Sequence, residues 1–209
     1  GKWNVNNHNW DMVFSDVSAT FVDVEPTHAF TGEPNVWYYD DVHTLYNNSI
    51  TTGCAEDPLR YCPGKKVSRA EMAIFLERGI EGAGYNPPED DLTFKDIDTH
   101  WAKNWIQALA NDGITAGCGN EKYCPYDSVT RAQMAIFLLR SKYGAGHTPD
   151  PASGTMFDDV PIDHWAAAWI EELASEGITS GCGNGNYCPD QAVTRAQMAL
   201  FLVRTFGLE

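Results

Sequence analysis

No apolar run in these 209 residues approaches the roughly 18 that cross a bilayer, so no membrane insertion is expected. Basic side chains are scarce: 14 Lys and Arg face 29 Asp and Glu, for a formal net charge of -15. That balance argues against nucleic acid as a partner. A local anion site remains compatible with it, provided the site works through close, partly desolvated contacts, since long-range steering opposes a polyanion. Nucleophile elbow, HExxH pair and phosphate loop are all missing, so no enzyme is expected. The chain begins Gly1-Lys2-Trp3-Asn4 without a signal peptide, as a processed product or an excised fragment would.

A hydrophobic fraction of 43% with 12% aromatics is that of a folded, globular chain and excludes a disordered one. Six Cys in three similarly placed pairs point to an oxidising compartment. Internal repetition decides the architecture. Arg131 and Arg195 are as far apart as Cys118 and Cys182, or His100 and His164. The unit is about 60 residues long. The expected division is an N-terminal extension at 1–20 and repeats at 21–80, 92–142 and 156–207. Trp3, Trp10 and Phe14 in the extension show no clear period, and a locally packed arm is expected. Gly/Pro/Asp-rich tethers, from Gly82 to Pro88 and from Gly144 to Gly154, join units that pack as one body.

The third unit is the clearest. Phe157-Asp158-Asp159-Val160 and His164-Trp165 precede an apolar stripe of Trp169, Ile170 and Leu173, which Gly177 ends as a helix C-terminal signal. Asn184-Gly185, between Cys182 and Cys188, reads as a tight hairpin turn. A second helix then starts at Val193-Thr194-Arg195-Ala196-Gln197-Met198-Ala199, where Thr194 and Gln197 form a capping box. Thr130 with Gln133 and Ser68 with Glu71 repeat the box. Each unit is therefore helix, short hairpin or loop, helix, and the fold class is mainly α. The first unit diverges: extra residues separate Phe21 from Trp37, and its cysteine loop is longer.

Arg69, Arg131 and Arg195 fall on the first helical residue, beside unpaired N–H groups and the positive end of the helix dipole. Their forked guanidinium matches a carboxylate or phosphate. The plainer alternative is that each packs its stem and pairs with a nearby Asp.

Cys118 and Cys124 enclose five residues, as do Cys182 and Cys188, while Cys54 and Cys62 enclose seven. Three local disulfides are the simplest pairing, and the chain-entropy relation gives about 2.4 kcal/mol for closing a seven-residue ring. The alternative is zinc, with His100 or His164 added to each pair. The close CxxC spacing is absent, and the first unit has Val36 where His is required, so zinc is disfavoured. The His-Trp pairs are expected to cap and cover the core. Asp158-Asp159, Asp40-Asp41 and Asp90-Asp91 supply hard ligands for calcium, but without EF-hand spacing. A solvated acidic face is the default, and no cofactor is expected.

Taken together, the Phe-Asp-Asp-Val, His164-Trp165-Ala166, Gly177-Ile178-Thr179-Ser180-Gly181, Asn184-Gly185 and Val-Thr-Arg-Ala-Gln words resemble the S-layer homology (SLH) domain in three tandem copies, over about residues 21 to 206. The resemblance implies a pseudo-threefold helical bundle, exported to the bacterial cell surface or S-layer, whose inter-repeat grooves bind a pyruvylated cell-wall polysaccharide. Carried over, Arg69, Arg131 and Arg195 would take the ketal carboxylate. Asp23, Asp96 and Asp159 would meet sugar hydroxyls or position the Arg. Trp101 and Trp165, with Trp37, would offer apolar faces to a sugar ring, with a core role as the alternative. Gln in two copies, the paired cysteines and the first unit's insertions depart from the common pattern.

Two functions follow. One is a non-catalytic wall-binding module that anchors an exported protein; the other is a subunit that self-associates into a surface layer or filament. A complete mature chain of this length favours assembly, and a fragment favours anchoring.

Overall fold

The computed structural model describes residues 2–4, 9–11, 36–56 and 59–209. Asp23, its Phe21-Val22 neighbours and most of the extension lie outside them. Within the extension, β1 (Lys2–Asn4) pairs antiparallel with β2 (Asn9–Asp11). In the first cysteine loop β3 (Ala55–Glu56) pairs with β4 (Leu59–Arg60).

Among the described residues, six helices build the body. Short ones open each repeat: α1 (Tyr39–Asn47), α3 (Lys103–Asn111) and α5 (Ala167–Ser175). Long ones close it: α2 (Arg69–Glu81), α4 (Arg131–Tyr143) and α6 (Arg195–Phe206). All three capping boxes form as expected from sequence, and Glu71, Gln133 and Gln197 return a bond to the N-cap amide alike. His100 and His164 Nδ1 accept from the amides of Ala102 and Ala166, in the turns that lead into α3 and α5. Those helices end in Schellman bonds such as Ile114 N to Leu109 O at 3.1 Å, with Gly113 and Gly177 left-handed and Ser49 taking that place in the first repeat.

The long helices pack pairwise around a pseudo-threefold axis. On that axis the amide of Val67 donates to Val193 O, that of Val193 to Val129 O, and that of Val129 to Val67 O, at 2.9, 2.9 and 3.0 Å. These valines, with Met72, Met134 and Met198, are fully enclosed. At about 1.5–3 kcal/mol per large buried apolar side chain, this shared core joins the units into one body. Each short helix lies on the long helix of the preceding repeat: α3 on α2, α5 on α4 and, closing the ring, α1 on α6.

One residue breaks the pattern. Glu77 stands on α2 where α4 has Leu139 and α6 has Val203, and it is fully enclosed with neither carboxyl oxygen hydrogen-bonded. Burial, with Asp112 and Glu81 nearby, pushes its carboxyl up to about 8.

Candidate functional site

The cysteine loops decide what the repeated arginines can do. In each long helix the first two free N–H groups are capped by carbonyls of the following repeat's loop: Arg131 N by Gln191 O at 2.9 Å and Ala132 N by Pro189 O at 2.9 Å. Asp127 and Pro125 do this for α2, and Lys65 and Pro63 for α6. The helix ends that the sequence suggested as anion sites are thus already satisfied.

The arginine side chains are held the same way. Arg69 Nε donates to Tyr123 O at 2.7 Å, Arg131 Nε to Tyr187 O at 2.7 Å and Arg195 Nε to Tyr61 O at 2.8 Å. Each tyrosine hydroxyl donates back to the backbone carbonyl of its arginine at 2.8 Å. Each guanidinium also lies over that tyrosine ring, with 4.6–4.7 Å to the centroid. The arginines are buried, at 2–4% exposure, and each clamps one repeat to another. Burial pushes the three phenols up, keeping them protonated donors.

Behind the Tyr123 and Tyr187 clamps stand an aspartate and a disulfide. Asp96 accepts from the amides of Tyr123 and Cys124 at 2.8 and 2.9 Å, and Asp159 from those of Tyr187 and Cys188, both at 2.7 Å. Partial burial pushes the Asp96 carboxyl up, but these amides, its own amide and Lys122 outweigh that and hold it below the carboxylate range. Asp96 and Asp159 thus hold the loops whose Tyr123 and Tyr187 carbonyls receive the arginines. The predicted pairs Cys54–Cys62, Cys118–Cys124 and Cys182–Cys188 all form, which accounts for all six cysteines. Asn184 and Gly185 are both left-handed, and the amide of Asn186 reaches Gly183 O at 3.0 Å, so the predicted tight turn is present.

Between repeats the clamps form the walls of grooves. One, of about 250 Å³, is lined by Arg195, Thr51 to Gly53, Glu71, Phe75 and Trp101. A second, of about 540 Å³, is lined by Arg131, Thr179 to Gly183, Gln197, Phe201 and Trp37. All three repeats contribute to each, so both exist only in the closed ring. The corresponding residues of the third position are Arg69, Thr115, Gln133, Phe137 and Trp165. Trp37, Trp101 and Trp165 are 61–66% exposed, so none of them covers the core.

The sequence reading missed the clamp tyrosines as functional, although Tyr61, Tyr123 and Tyr187 each directly precede the second cysteine of a pair. It also missed Arg78, Arg140 and Arg204, whose Nη1 atoms reach the Ile50, Ile114 and Ile178 carbonyls at the ends of the short helices. Arg78 and Arg204 line the two grooves.

A family profile for the S-layer homology domain matches residues 93–135 and 157–199. Among curated proteins the chain is 28% identical to an uncharacterized cell wall amidase of Bacillus anthracis, over 84% of this chain and 32% of that protein. It is 27% identical to an S-layer protein of Bacillus thuringiensis subsp. finitimus, over 94% of this chain and 23% of that one. A cellulosome-anchoring protein of Acetivibrio thermocellus is 31% identical over 54% of this chain and 25% of its own length. The chain thus spans less than a third of these relatives. Both profile matches contain the capping box and the clamp arginine, and residues 93–135 and 157–199 are thus S-layer homology domains.

Proposed function

We propose that this chain holds an exported protein on the bacterial cell wall by binding an acidic, pyruvylated wall glycan in the grooves between its repeats. It is a cell-surface module of a domain family that is itself non-catalytic, and the relatives include a cell wall amidase, an S-layer protein and an anchoring protein. Any activity of a larger protein would reside outside this segment.

One observation carries the glycan reading. Each described groove brings a buried guanidinium and an exposed tryptophan face into one cleft, with the two side chains coming from different repeats. A cation with an apolar ring face suits a sugar bearing a carboxylate. Since Nε is already bonded, the terminal nitrogens of the guanidinium are what a ligand would meet. Repetition around the ring allows several weak contacts to add as avidity.

The test is co-sedimentation with sacculi before and after removal of wall polymers. Retention on native sacculi and release from stripped ones is expected; equal retention on both overturns the polysaccharide reading. The S-layer relative also suggests self-association. Size measurement without wall material separates the two, since ordered polymers would favour assembly and monomers anchoring.

A further inference from the structure

The short helix of the second repeat is docked over an acid that the other two repeats lack. Glu77, on α2, is fully enclosed, and neither carboxyl oxygen has a hydrogen-bond partner. On α4 and α6 the equivalent residues are Leu139 and Val203, so α5 and α1 have apolar residues at this place on the helix they cover. Among the described residues Glu77 makes no ion pair within 4.0 Å.

The groups that act on Glu77 cannot hold its charge. Asp112, directly after α3, and Glu81, one turn further along α2, both repel it. The phenols of Tyr85 on the tether and Tyr123 on the cysteine loop lie within reach of that negative charge. The basic residues of the two helices are engaged elsewhere. Arg69 is clamped to Tyr123, Arg78 Nη1 donates to Ile50 O at 3.1 Å with its guanidinium 5.4 Å from the Trp105 ring, and Lys103, at the start of α3, lies 3.9 Å from Glu89. An ionised Glu77 is therefore neither paired nor hydrated while α3 is docked.

The helix above it is held by few partners. Among the named elements α3 touches α2 alone. The amide of Thr93 donates to Gln107 Oε1 at 2.7 Å and Asn111 Nδ2 to Asp90 Oδ2 at 2.9 Å, so the end of the tether is tied to α3 and moves with it. Trp101, two residues before the helix, lines the Arg195 groove.

We infer that Glu77 makes α3 a pH-operated flap: a protonated carboxyl lets the helix dock on α2, an ionised one loosens it, and the Trp101 wall of the Arg195 groove loosens with it. With α3 open the carboxyl meets water and titrates near the ordinary 4.5, against about 8 when docked, so between these values opening releases one proton. Opening rises about tenfold per pH unit across that window and levels off above it.

Hydrogen exchange of the full chain from about pH 5 to about pH 9 tests this, with α5, which rests on the helix bearing Leu139, as the internal control. After correction for intrinsic exchange, protection of the Ile106 and Leu109 amides should fall about tenfold per pH unit up to about pH 8, while that of Ile170 and Leu173 holds. Glu77→Leu and Glu77→Gln should both abolish the fall, the second showing that charge and not shape is responsible. Equal falls in α3 and α5 would mean loosening of the whole bundle, and protection of α3 that ignores pH would mean that Glu77 controls nothing; either overturns the flap. Its bearing on wall binding rests on the reading above. Retention on native sacculi should fall between about pH 6 and about pH 8 for the natural chain and not for Glu77→Leu. The same pH dependence in both chains would overturn the link from flap to groove, whereas no retention at any pH would overturn the wall-binding reading and leave the exchange result to decide the flap.

Discussion

Arg195 and Tyr61 exchange two hydrogen bonds, Nε to the tyrosine carbonyl and the phenol to the arginine carbonyl, each at 2.8 Å, and so fasten the last repeat to the first. With the equivalent exchanges between Arg69 and Tyr123 and between Arg131 and Tyr187, three identical clasps close a ring. An arginine that sequence alone offers as a ligand contact is therefore also a structural part, and its removal has two effects.

Arg131→Ala is expected to lower stability by about 2–4 kcal/mol, because it leaves the Tyr187 carbonyl unpaired in a buried site and opens a void beneath its ring. Denaturant unfolding checks this. An unchanged midpoint would mean that the clasp contributes nothing. Arg131→Ala is consequently a poor probe of binding, since any loss of wall retention would be mixed with loss of fold.

Glu77 supplies a pH signature. Its folded carboxyl titrates at about 8 against an ordinary 4.5, so between those values the unfolded chain releases a proton that the folded chain keeps. Stability should fall as pH rises through that window and level off above it. The groups that oppose its charge are Asp112, at the end of α3, and Glu81, on α2 itself; Tyr85, on the tether, lies within reach of the carboxyl's charge. Glu77→Leu, which copies Leu139, should remove that slope and gain about 3 kcal/mol at pH 8. Thermal melts across pH 5 to 9 compare the two chains.

Asp96 behaves in the opposite sense. Its folded carboxyl is held below the ordinary value, so the stability it contributes is present above that value and lost as pH falls through the folded one. Together with the disulfide Cys118–Cys124, it holds the loop that presents the Tyr123 carbonyl to Arg69. Replacing both cysteines by Ser should cost about 2 kcal/mol, and adding Asp96→Ala should cost more than the two separate losses combined. A double-mutant cycle in urea measures the coupling.

Much of this was legible from the chain. The capping boxes follow from Ser68/Glu71, Thr130/Gln133 and Thr194/Gln197, the disulfides from paired local spacing, and the turn from Asn184-Gly185, because each depends on residues near one another in sequence. The clasp was not, because the helix position of Arg69 does not say which repeat it meets, and its partner Tyr123 lies in the next one. The stacking of each short helix on the preceding repeat is likewise a tertiary choice. Trp101 and Trp165 looked like core residues by their apolar character, yet they sit just before the first helical turn and face outward. Glu77 gave no warning, because one acid in a helix reads as a solvent face until α3 is seen to cover it.

The exposed tryptophans separate binding from folding where the arginines cannot. Trp37→Ala with Trp101→Ala removes apolar faces from both described grooves without touching the core or the clasps. Co-sedimentation of this variant with native sacculi, beside its unfolding midpoint, is the most direct measurement. Retention reduced at least about tenfold with the midpoint unchanged is expected of glycan binding in these grooves, as loss of stacking at each site costs about 1 kcal/mol or more. Full retention by a folded variant would contradict it.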